Sequence, residues 1–376
     1  MKSDKTTPNV PTLRFPNYNG EWKKSVMGKV CSFRKGYGIA KDDLSSGGTP
    51  CILYGELYTT YKTAIAKTIK SKTSIQSKSL VYSQKDDVII PCSGETAEDI
   101  ATSICVPYDG VLLGGDLTIV HSDLDGAFLS NQINSVRKFD IARIAQGKSI
   151  VHLQADELKK IFIFYPSIQE QRKISAFIDK IDERIEIQNK IISKYETLIK
   201  GLCDMIFRHN KSVSLSDLVK CKTSALQENT VSTCHRGEYK VLGASGAIAA
   251  IDTYQFEESG ILVLKDGSKA GKIQFAQGKY SVVGTSVVLI PNEACDARYL
   301  YFAMSSIDFE KYKVGSGIPH IYFKDYSNER IYYPEKSLRK RITEALDAYD
   351  IKLGIEKEML SALQKQKAFL TKSMFI

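Results

Sequence analysis

The chain has 376 residues, a mass of 42.0 kDa and a formal net charge of +9. Hydrophobic residues make up 43% and charged residues 25%, which excludes wholesale disorder and predicts two or three globular domains. No apolar run reaches the roughly eighteen residues of a membrane span, and the first ten residues lack the apolar core of a secretory signal. The eight cysteines form no C-x-x-C, which argues against a disulfide scaffold or structural zinc and indicates a reducing cytoplasm.

The first globular segment, residues 1–164, mixes short β-branched runs with glycine turns. It predicts strands at Asp87–Pro91 and Leu117–Val120 and a short helix around Phe128–Ile144. No acidic residue occurs from Leu57 to Lys85, and five lysines stand between Tyr61 and Lys78: Lys62, Lys67, Lys70, Lys72 and Lys78. Clustered lysines attract the DNA backbone, so this stretch is a candidate phosphate-contacting segment. A solvated charged face is an equally good interpretation.

The second globular segment, residues 208–332, has the same character. Strands are predicted at Gly260–Leu264 and Ser281–Ile290, and a short helix around Ala297–Tyr312. Both segments therefore predict an α+β fold.

An internal repeat with a period of 168 residues organises the chain. Residues 165–207 align without a gap on residues 333–375, and matched pairs include Tyr165 with Tyr333 and Phe207 with Phe375. The chain is predicted to have a globular domain at 1–164, a helix at 165–207, a second globular domain at 208–332 and a second helix at 333–376.

Each repeated segment carries apolar residues spaced alternately four and three apart, the pattern of a coiled coil. The first seam is Ile174, Ile178, Ile181, Ile185, Gln188, Ile192, Tyr195, Ile199, Leu202 and Ile206; the second is Ile342, Leu346, Tyr349, Leu353, Glu356, Leu360, Leu363, Lys367, Leu370 and Met374. The alternative is an amphipathic helix packed on its own domain, although such helices are usually shorter.

Two features of the seams predict interactions. Gln188 and Glu356 are repeat equivalents and polar breaks, so we expect them to pair and fix the register of the helices. Ile187, Ile191 and Ile355 lie off the seam and extend the apolar surface beyond one partner helix.

The chain resembles the specificity (S) subunits of type I restriction–modification enzymes. The resemblance rests on Tyr165-Pro166 followed by Glu170-Gln171 and Ile174 at the start of a long helix, together with the duplication. The second copy lacks the Glu-Gln pair. Further family-like segments are Pro50–Tyr61, Ser93–Thr96, Gly114–Asp116 and Leu264–Lys272.

The resemblance implies two target recognition domains, each reading one half of a split double-stranded DNA sequence, on two helices paired as an antiparallel coiled coil. The subunit itself would not catalyse. Two methyltransferase (modification) subunits would bind it and use S-adenosylmethionine, and restriction motor–nuclease subunits would complete the complex. Lys269 and Lys272, in the last family-like segment, join the candidate DNA-contacting residues.

The proline pattern agrees with a non-catalytic subunit. Amino-methyltransferases need adjacent prolines in the loop that grips the flipped base, and no two of the ten prolines are adjacent. Any methyl transfer must therefore come from a partner.

One short motif matches a nucleotide-binding pattern, but its predicted surroundings argue against that function. Ala142–Ser149 fits a relaxed phosphate-binding loop, but a helix is predicted before it and a strand after it, the reverse of the required order. We favour a glycine loop beside DNA in both repeats, with Lys148 or Ser316 touching phosphate.

Glu238-Tyr239-Lys240 is a fragment of a nuclease-like metal site. No upstream acidic ligand accompanies it, so we expect a surface strand there and no metal ion.

The five histidines are isolated. His152 and His320 are repeat equivalents, for which structural packing is favoured over contact with DNA. Two other functions stay open for the chain: a non-DNA adaptor that organises proteins on its coiled coil and, less favoured, a nucleotide hydrolase.

Overall fold

The computed structural model describes residues 9–147, 150–208, 212–231, 236–293, 296–315 and 317–376. It consists of two compact units. Unit 1 comprises Met1–Asn189 and Met359–Ile376, and unit 2 comprises Lys190–Glu358. Each unit therefore combines one globular segment with portions of both long helices, a division that differs from the sequence-order domains predicted above.

The globular part of unit 1 contains eleven strands and six short helices in its described residues. The strands are Lys23–Val26, Cys31–Lys35, Leu44–Ile52, Ser71–Thr73, Asp87–Pro91, Ser93–Gly94, Ile104–Val106, Leu112–Leu113, Leu117–Ser122, Val151–His152 and Phe162–Tyr165; the helices are Met27–Val30, Glu56–Thr59, Ala97–Ile100, Gly126–Asn134, Lys138–Ile144 and Ala155–Leu158, with a 3-10 turn at Lys41–Asp43.

The globular part of unit 2 repeats this content in fewer residues. Its described strands are Val213–Ser214, Val219–Thr223, Tyr239–Gly243, Gly246–Ile251, Gly260–Leu264, Ile273–Ala276, Tyr280–Val282, Ser286–Pro291 and Arg330–Ile331; its helices are Leu215–Leu218, Glu228–Val231, Ala297–Met304 and Phe323–Tyr326, with a 3-10 turn at Phe309–Tyr312.

The two units share one sheet topology. Each has a four-stranded antiparallel sheet, whose order is Cys31–Lys35, Leu117–Ser122, Asp87–Pro91, Ile104–Val106 in unit 1 and Val219–Thr223, Ser286–Pro291, Gly260–Leu264, Ile273–Ala276 in unit 2. Each also has a three-stranded sheet with one antiparallel and one parallel pairing, around Leu44–Ile52 and Tyr239–Gly243 respectively. The repeat therefore extends through the globular segments, where the sequences have diverged.

The α+β fold class is confirmed, with differences at element boundaries. Asp87–Pro91 and Gly260–Leu264 form the predicted strands. The helix expected at 128–144 is two helices, because the backbone leaves the helical conformation at Ser135, whose hydroxyl donates to the Asn131 carbonyl. The strand expected at 281–290 is interrupted at residues 283–285, where the Gly284 N–H donates to the Leu226 carbonyl.

The long helices run Ile168–Phe207 and Lys336–Met374. In unit 1, Ile174 and Ile178 pack with Met374, and Asp182 pairs with Lys367 at 2.5 Å. In unit 2, Glu196 pairs with Lys357 at 2.7 Å, and Phe207 lies in one core with Leu346. Partners move back along the second helix as the first advances, so the helices are antiparallel in both units, as the resemblance implied.

The predicted seam faces inward within each unit. The buried members are Ile174, Ile178, Ile181, Gln188, Ile192, Leu346, Leu353, Leu363 and Met374, and the half-buried ones include Ile185, Glu356 and Leu360. Gln188 belongs to unit 1 and Glu356 to unit 2, and their pairing stays a prediction.

The glutamine that the second copy lacks has a structural substitute. In unit 1 the Gln171 side chain donates to the Pro166 carbonyl and accepts from the backbone N–H of Asp125, the residue that caps helix Gly126–Asn134. In unit 2 its repeat equivalent, Arg339, donates to the Pro334 carbonyl and makes two 3.0 Å bonds to Asp296, which precedes helix Ala297–Met304. A different side chain thus fixes the same junction between helix and domain.

Among the described residues, no helix combines the length and apolarity that a membrane span requires.

Candidate nucleic-acid interface

The predicted basic stretch lies on the surface of unit 1. Lys62, Lys67, Lys70, Lys72 and Lys78 are all exposed, and Lys72 belongs to strand Ser71–Thr73. The Lys62 ammonium donates to the Tyr58 carbonyl at 3.2 Å. The phosphate role of the stretch stays a prediction.

Lys67 differs from the other four lysines because its side chain binds the first long helix. Its Nζ lies 2.6 Å from Asp179 and 2.9 Å from Glu183. Burial lowers the Lys67 pKa, but the bonds to the two carboxylates outweigh this and raise it. Hydrogen bonds from Lys180 and Lys67 lower the Glu183 pKa to about 2. This geometry favours Lys67 as a tether between domain and helix over its predicted role as a phosphate contact.

Unit 2 has a tether at the equivalent turn of its own helix. Asp347, the repeat equivalent of Asp179, pairs with Arg298, and Asp350 lies 2.5 Å from the same guanidinium. Arg298 also stacks near the Phe302 ring, 4.8 Å from its centroid. The tethering cations come from unrelated parts of the two domains, whereas one of the helix carboxylates that receive them, Asp179 in unit 1 and Asp347 in unit 2, recurs.

A cavity of about 830 Å³ separates the basic stretch from the helices of unit 1. Its lining includes Lys62, Lys67 and Lys70 on one side and Asp179 and Asp182 on the other. Burial raises the pKa of Asp182, and the neighbouring Lys367 opposes that rise. The opposed charges favour a solvated polar space over an anion site.

A short β-hairpin recurs at the end of each globular segment. Gln146 and His152 exchange backbone hydrogen bonds in unit 1, as Val314 and His320 do in unit 2. Glycine follows the first residue in both cases, with φ of +134° at residue 147 and +96° at residue 315. Such angles favour glycine and explain its recurrence.

The predicted phosphate contacts on these hairpins, Lys148 and Ser316, lie outside the described residues. Helix Lys138–Ile144 precedes the first hairpin and strand Val151–His152 closes it. This order is the reverse of a phosphate-binding loop, which argues against the nucleotide interpretation.

Each hairpin contacts a second recurring segment through its histidine. His152 Nδ1 lies 3.3 Å from Ser93 Oγ, and His320 Nδ1 lies 2.7 Å from Asp266 Oδ1. His152 is exposed and His320 is half-buried. Both therefore reach the surface, rather than lying in the core as the favoured packing role predicted.

Lys269 and Lys272 lie beside the second hairpin on the same segment as Asp266. Both are exposed. The backbone N–H of Gly267 in this segment donates to the Pro319 carbonyl of the hairpin, which holds the two loops together. The loop that carries the predicted lysines of unit 2 is thus bound to the hairpin that carries His320.

Sequence reasoning missed a charged cluster at the end of the four-stranded sheet of unit 1. The carboxylate of Asp87, fully buried, receives Arg34 at 2.6 Å and His121 Nδ1 at 2.8 Å. The Gln84 backbone N–H also donates to it at 2.8 Å. The available signal was an aspartate inside an apolar predicted strand, since a buried carboxylate requires partners.

The nuclease-like fragment forms no metal site in the part of the chain that the structure describes. Tyr239 begins strand Tyr239–Gly243, and Glu238 and Lys240 are exposed. No group of three His, Cys, Asp or Glu side chains among the described residues is arranged to hold a metal ion.

Comparison with known proteins gives one consistent result. The family model for the type I restriction modification DNA specificity domain matches residues 19–197 and again residues 208–365. A curated relative, the type I restriction enzyme MjaVIII specificity subunit of Methanocaldococcus jannaschii, is 30% identical over 122 residues. That alignment covers 31% of this chain and only 28% of the relative's length.

Two solved structures are similar in fold. The S subunit of a type I restriction–modification system from M. genitalium superposes with a TM-score of 0.66 at 16% identity, covering 98% of this chain and 99% of that one. A chain from work on complex assembly and conformational transition of the type I R–M system gives a TM-score of 0.52 at 15% identity, covering 94% and 97%.

Proposed function

The chain belongs to the type I restriction–modification DNA specificity family, and from that premise we propose that it recognises an asymmetric DNA site in two parts. Each globular segment reads one part, and the long helices connect the two readers. The first helix has 40 residues, which is about 60 Å at 1.5 Å per residue.

One observation carries this proposal: the two units have the same sheet topology and different surface side chains. A shared scaffold presents both surfaces to the same kind of ligand, and the divergent side chains suit different base sequences. Arg34, for instance, occupies the register position that Lys222 has in unit 2.

The catalytic groups of the complex come from partners in this proposal. Two methyltransferase subunits, which use S-adenosylmethionine, bind one chain and transfer methyl groups at the site it selects. Restriction motor–nuclease subunits join the same assembly and cut unmodified DNA.

Methylation mapping tests this function directly. Cells that carry the chain with its methyltransferase are compared with cells that lack only the chain. We expect a two-part asymmetric methylated sequence in the first and none in the second. Unchanged methylation would favour the alternative, an adaptor that organises proteins without reading DNA.

We place the methyltransferase contacts on apolar residues outside the helix seam. Ile187 in unit 1 and Ile355 in unit 2 are repeat equivalents, and 56% and 54% of their surfaces are exposed. A residue that recurs in both halves suits a partner that is the same for both, unlike the two DNA half-sites. In unit 2, Leu198 and Ile351 add further exposed apolar surface on the helices.

Charged substitutions at these two positions should remove the methyltransferases one at a time. Ile187→Asp and Ile355→Asp are each expected to leave one bound subunit per chain, and the double variant none, because an interfacial aspartate would be buried unpaired. Native mass spectrometry of the purified complexes measures the stoichiometry. Ser361→Asp, at an exposed position on the second helix, is the matched control. Two bound subunits in the double variant would contradict this placement.

The basic stretch is predicted to contribute phosphate contacts of low sequence specificity. Replacing Lys62, Lys70 and Lys72 together with alanine should weaken binding to all duplexes alike and lower the salt slope by up to about three units. Lys67→Ala is the comparison, since its ammonium binds the helix carboxylates, and its slope should stay near that of the wild type. The slope comes from titrating duplex DNA at several salt concentrations. An unchanged slope in the triple variant would show that the stretch faces away from DNA.

A further inference from the structure

The cluster around Asp87 has the geometry of a base-reading site. Arg34 and His121 stand on neighbouring strands of the four-stranded sheet of unit 1, and both bind the same carboxylate. Asp87 is fully buried, whereas 34% of the Arg34 side chain and 40% of the His121 side chain are exposed. A buried anchor thus fixes the orientation of two groups that reach the surface.

The two exposed groups offer complementary hydrogen bonding. Arg34 uses two of its five N–H donors on Asp87 and the Tyr82 carbonyl, which leaves donors in a fixed plane. His121 Nδ1 lies 2.8 Å from the Asp87 carboxylate, which can only accept, so Nδ1 is the donor, and a ring with a single proton then has Nε2 as an acceptor. The major-groove edge of a G·C pair carries acceptors at guanine O6 and N7 and a donor at cytosine N4.

Unit 2 has the same backbone positions with different side chains. The strand registers place Lys222 where Arg34 stands, Gly260 where Asp87 stands and Ile290 where His121 stands. The cluster therefore belongs to one recognition domain alone, on a scaffold that both share. Side chains that differ between the two recognition domains can account for different base sequences in the two half-sites.

We propose that Arg34 and His121 read one G·C base pair in the half-site recognised by unit 1. Arg34 donates to guanine O6 and N7, and His121 Nε2 accepts from cytosine N4. Asp87 is a positioning residue that holds both groups. This inference rests on the proposed function, because it assigns side chains to the DNA reading described above.

The test uses the complete complex of the chain with its methyltransferase subunits. Its binding is measured on duplexes in which each base pair of both half-sites is replaced in turn. Arg34→Lys keeps the charge beside Asp87 and removes the planar fork, and His121→Phe keeps the ring and removes Nε2. Each variant should lose on the order of 10-fold or more of its discrimination at one G·C pair of the first half-site, with the second half-site unaffected.

Lys222→Ala supplies the matched control, because it changes the equivalent position of unit 2. It should leave discrimination in the first half-site intact. Thermal unfolding of every variant is measured alongside, since a role limited to stabilising Asp87 would lower stability without changing the order of preference among duplexes.

Three results would overturn the inference. Uniform weakening on all duplexes with a smaller salt slope would make Arg34 a phosphate contact. Unchanged discrimination in both variants would show that the cluster does not contact the bases, and it would leave the proposed function unaffected. Wild-type complex that does not discriminate among the duplexes would overturn the proposed function together with this inference.

Discussion

Replacing Phe375 with alanine is expected to lower the free energy of unfolding of unit 1 by about 3–5 kcal/mol, the usual cost of removing a buried phenylalanine ring. Phe375 is 3% exposed and packs on the Phe128 ring, with centroids 5.1 Å apart. Trp22 and Ile178 lie in the same cluster, so the truncation leaves a cavity lined by side chains from distant parts of the chain.

Amide hydrogen exchange is the suitable measurement for this variant. A chain of two units need not unfold in one step, so protection of strand Leu117–Ser122 in unit 1 is compared with that of Ser286–Pro291 in unit 2. Only unit 1 should lose protection. Phe369→Ala is the control, because 65% of that side chain is exposed and its loss should cost less than about 0.5 kcal/mol. Equal effects of the two substitutions would contradict the packing.

The helices could be predicted from the sequence because their signal is local and long. A spacing of four and three residues over forty positions determines which side chains face inward, and the 168-residue repeat doubles the observation. Their antiparallel pairing came from the family resemblance, since a heptad pattern alone does not distinguish antiparallel from parallel partners.

The pairing of the strands, in contrast, could not be predicted from the sequence. Asp87–Pro91 was recognisable as a strand, but its neighbours come from residues 104–106 and 117–122, and the fourth strand comes from residues 31–35. Register between such distant segments depends on non-local packing, which periodicity does not encode. The Asp87 cluster could therefore not be assembled from the sequence, although each of its members was visible there.

The basic stretch illustrates how composition can mislead about individual side chains. Five lysines in an acid-free run predict a common role, yet Lys67 is directed to carboxylates more than one hundred residues away. The absence of acidic residues near Lys67 in the sequence does not exclude acidic partners that are distant in the sequence. Asp179 and Glu183, which bind Lys67, lie outside the apolar seam, and the seam pattern does not predict what charged residues of the helix bind.

A fragment that ends after Phe207 is expected to recognise an inverted repeat of the first half-site alone. The fragment loses Met359–Ile376, including Phe375, and so exposes the apolar residues that Phe375 covers in unit 1. It keeps Phe207, the repeat equivalent of Phe375. In unit 2, Phe207 packs on Tyr299, which follows Asp296 by three positions as Phe128 follows Asp125.

Two copies of the fragment can therefore bury each other's exposed apolar residues. About a two-fold axis, Phe207 of each copy would pack on Phe128 of the other, and Leu202 would take the place of its repeat equivalent, Leu370. Burial of the exposed isoleucine seam drives the association. Such a dimer presents two identical first domains to DNA, where the intact chain presents two different ones.

The measurement is methylation mapping in cells that carry the fragment with the methyltransferase, beside sedimentation of the purified fragment. The intact chain should select an asymmetric sequence in two parts with a spacer of about one helical turn. The fragment should sediment as a dimer and select the first part and its inverted copy, with a similar spacer. Phe207→Asp in the fragment removes the substitute contact and should abolish both the dimer and the methylation. A soluble monomer, or methylation at the original asymmetric site, would show that the first helix does not pair with a second copy of itself.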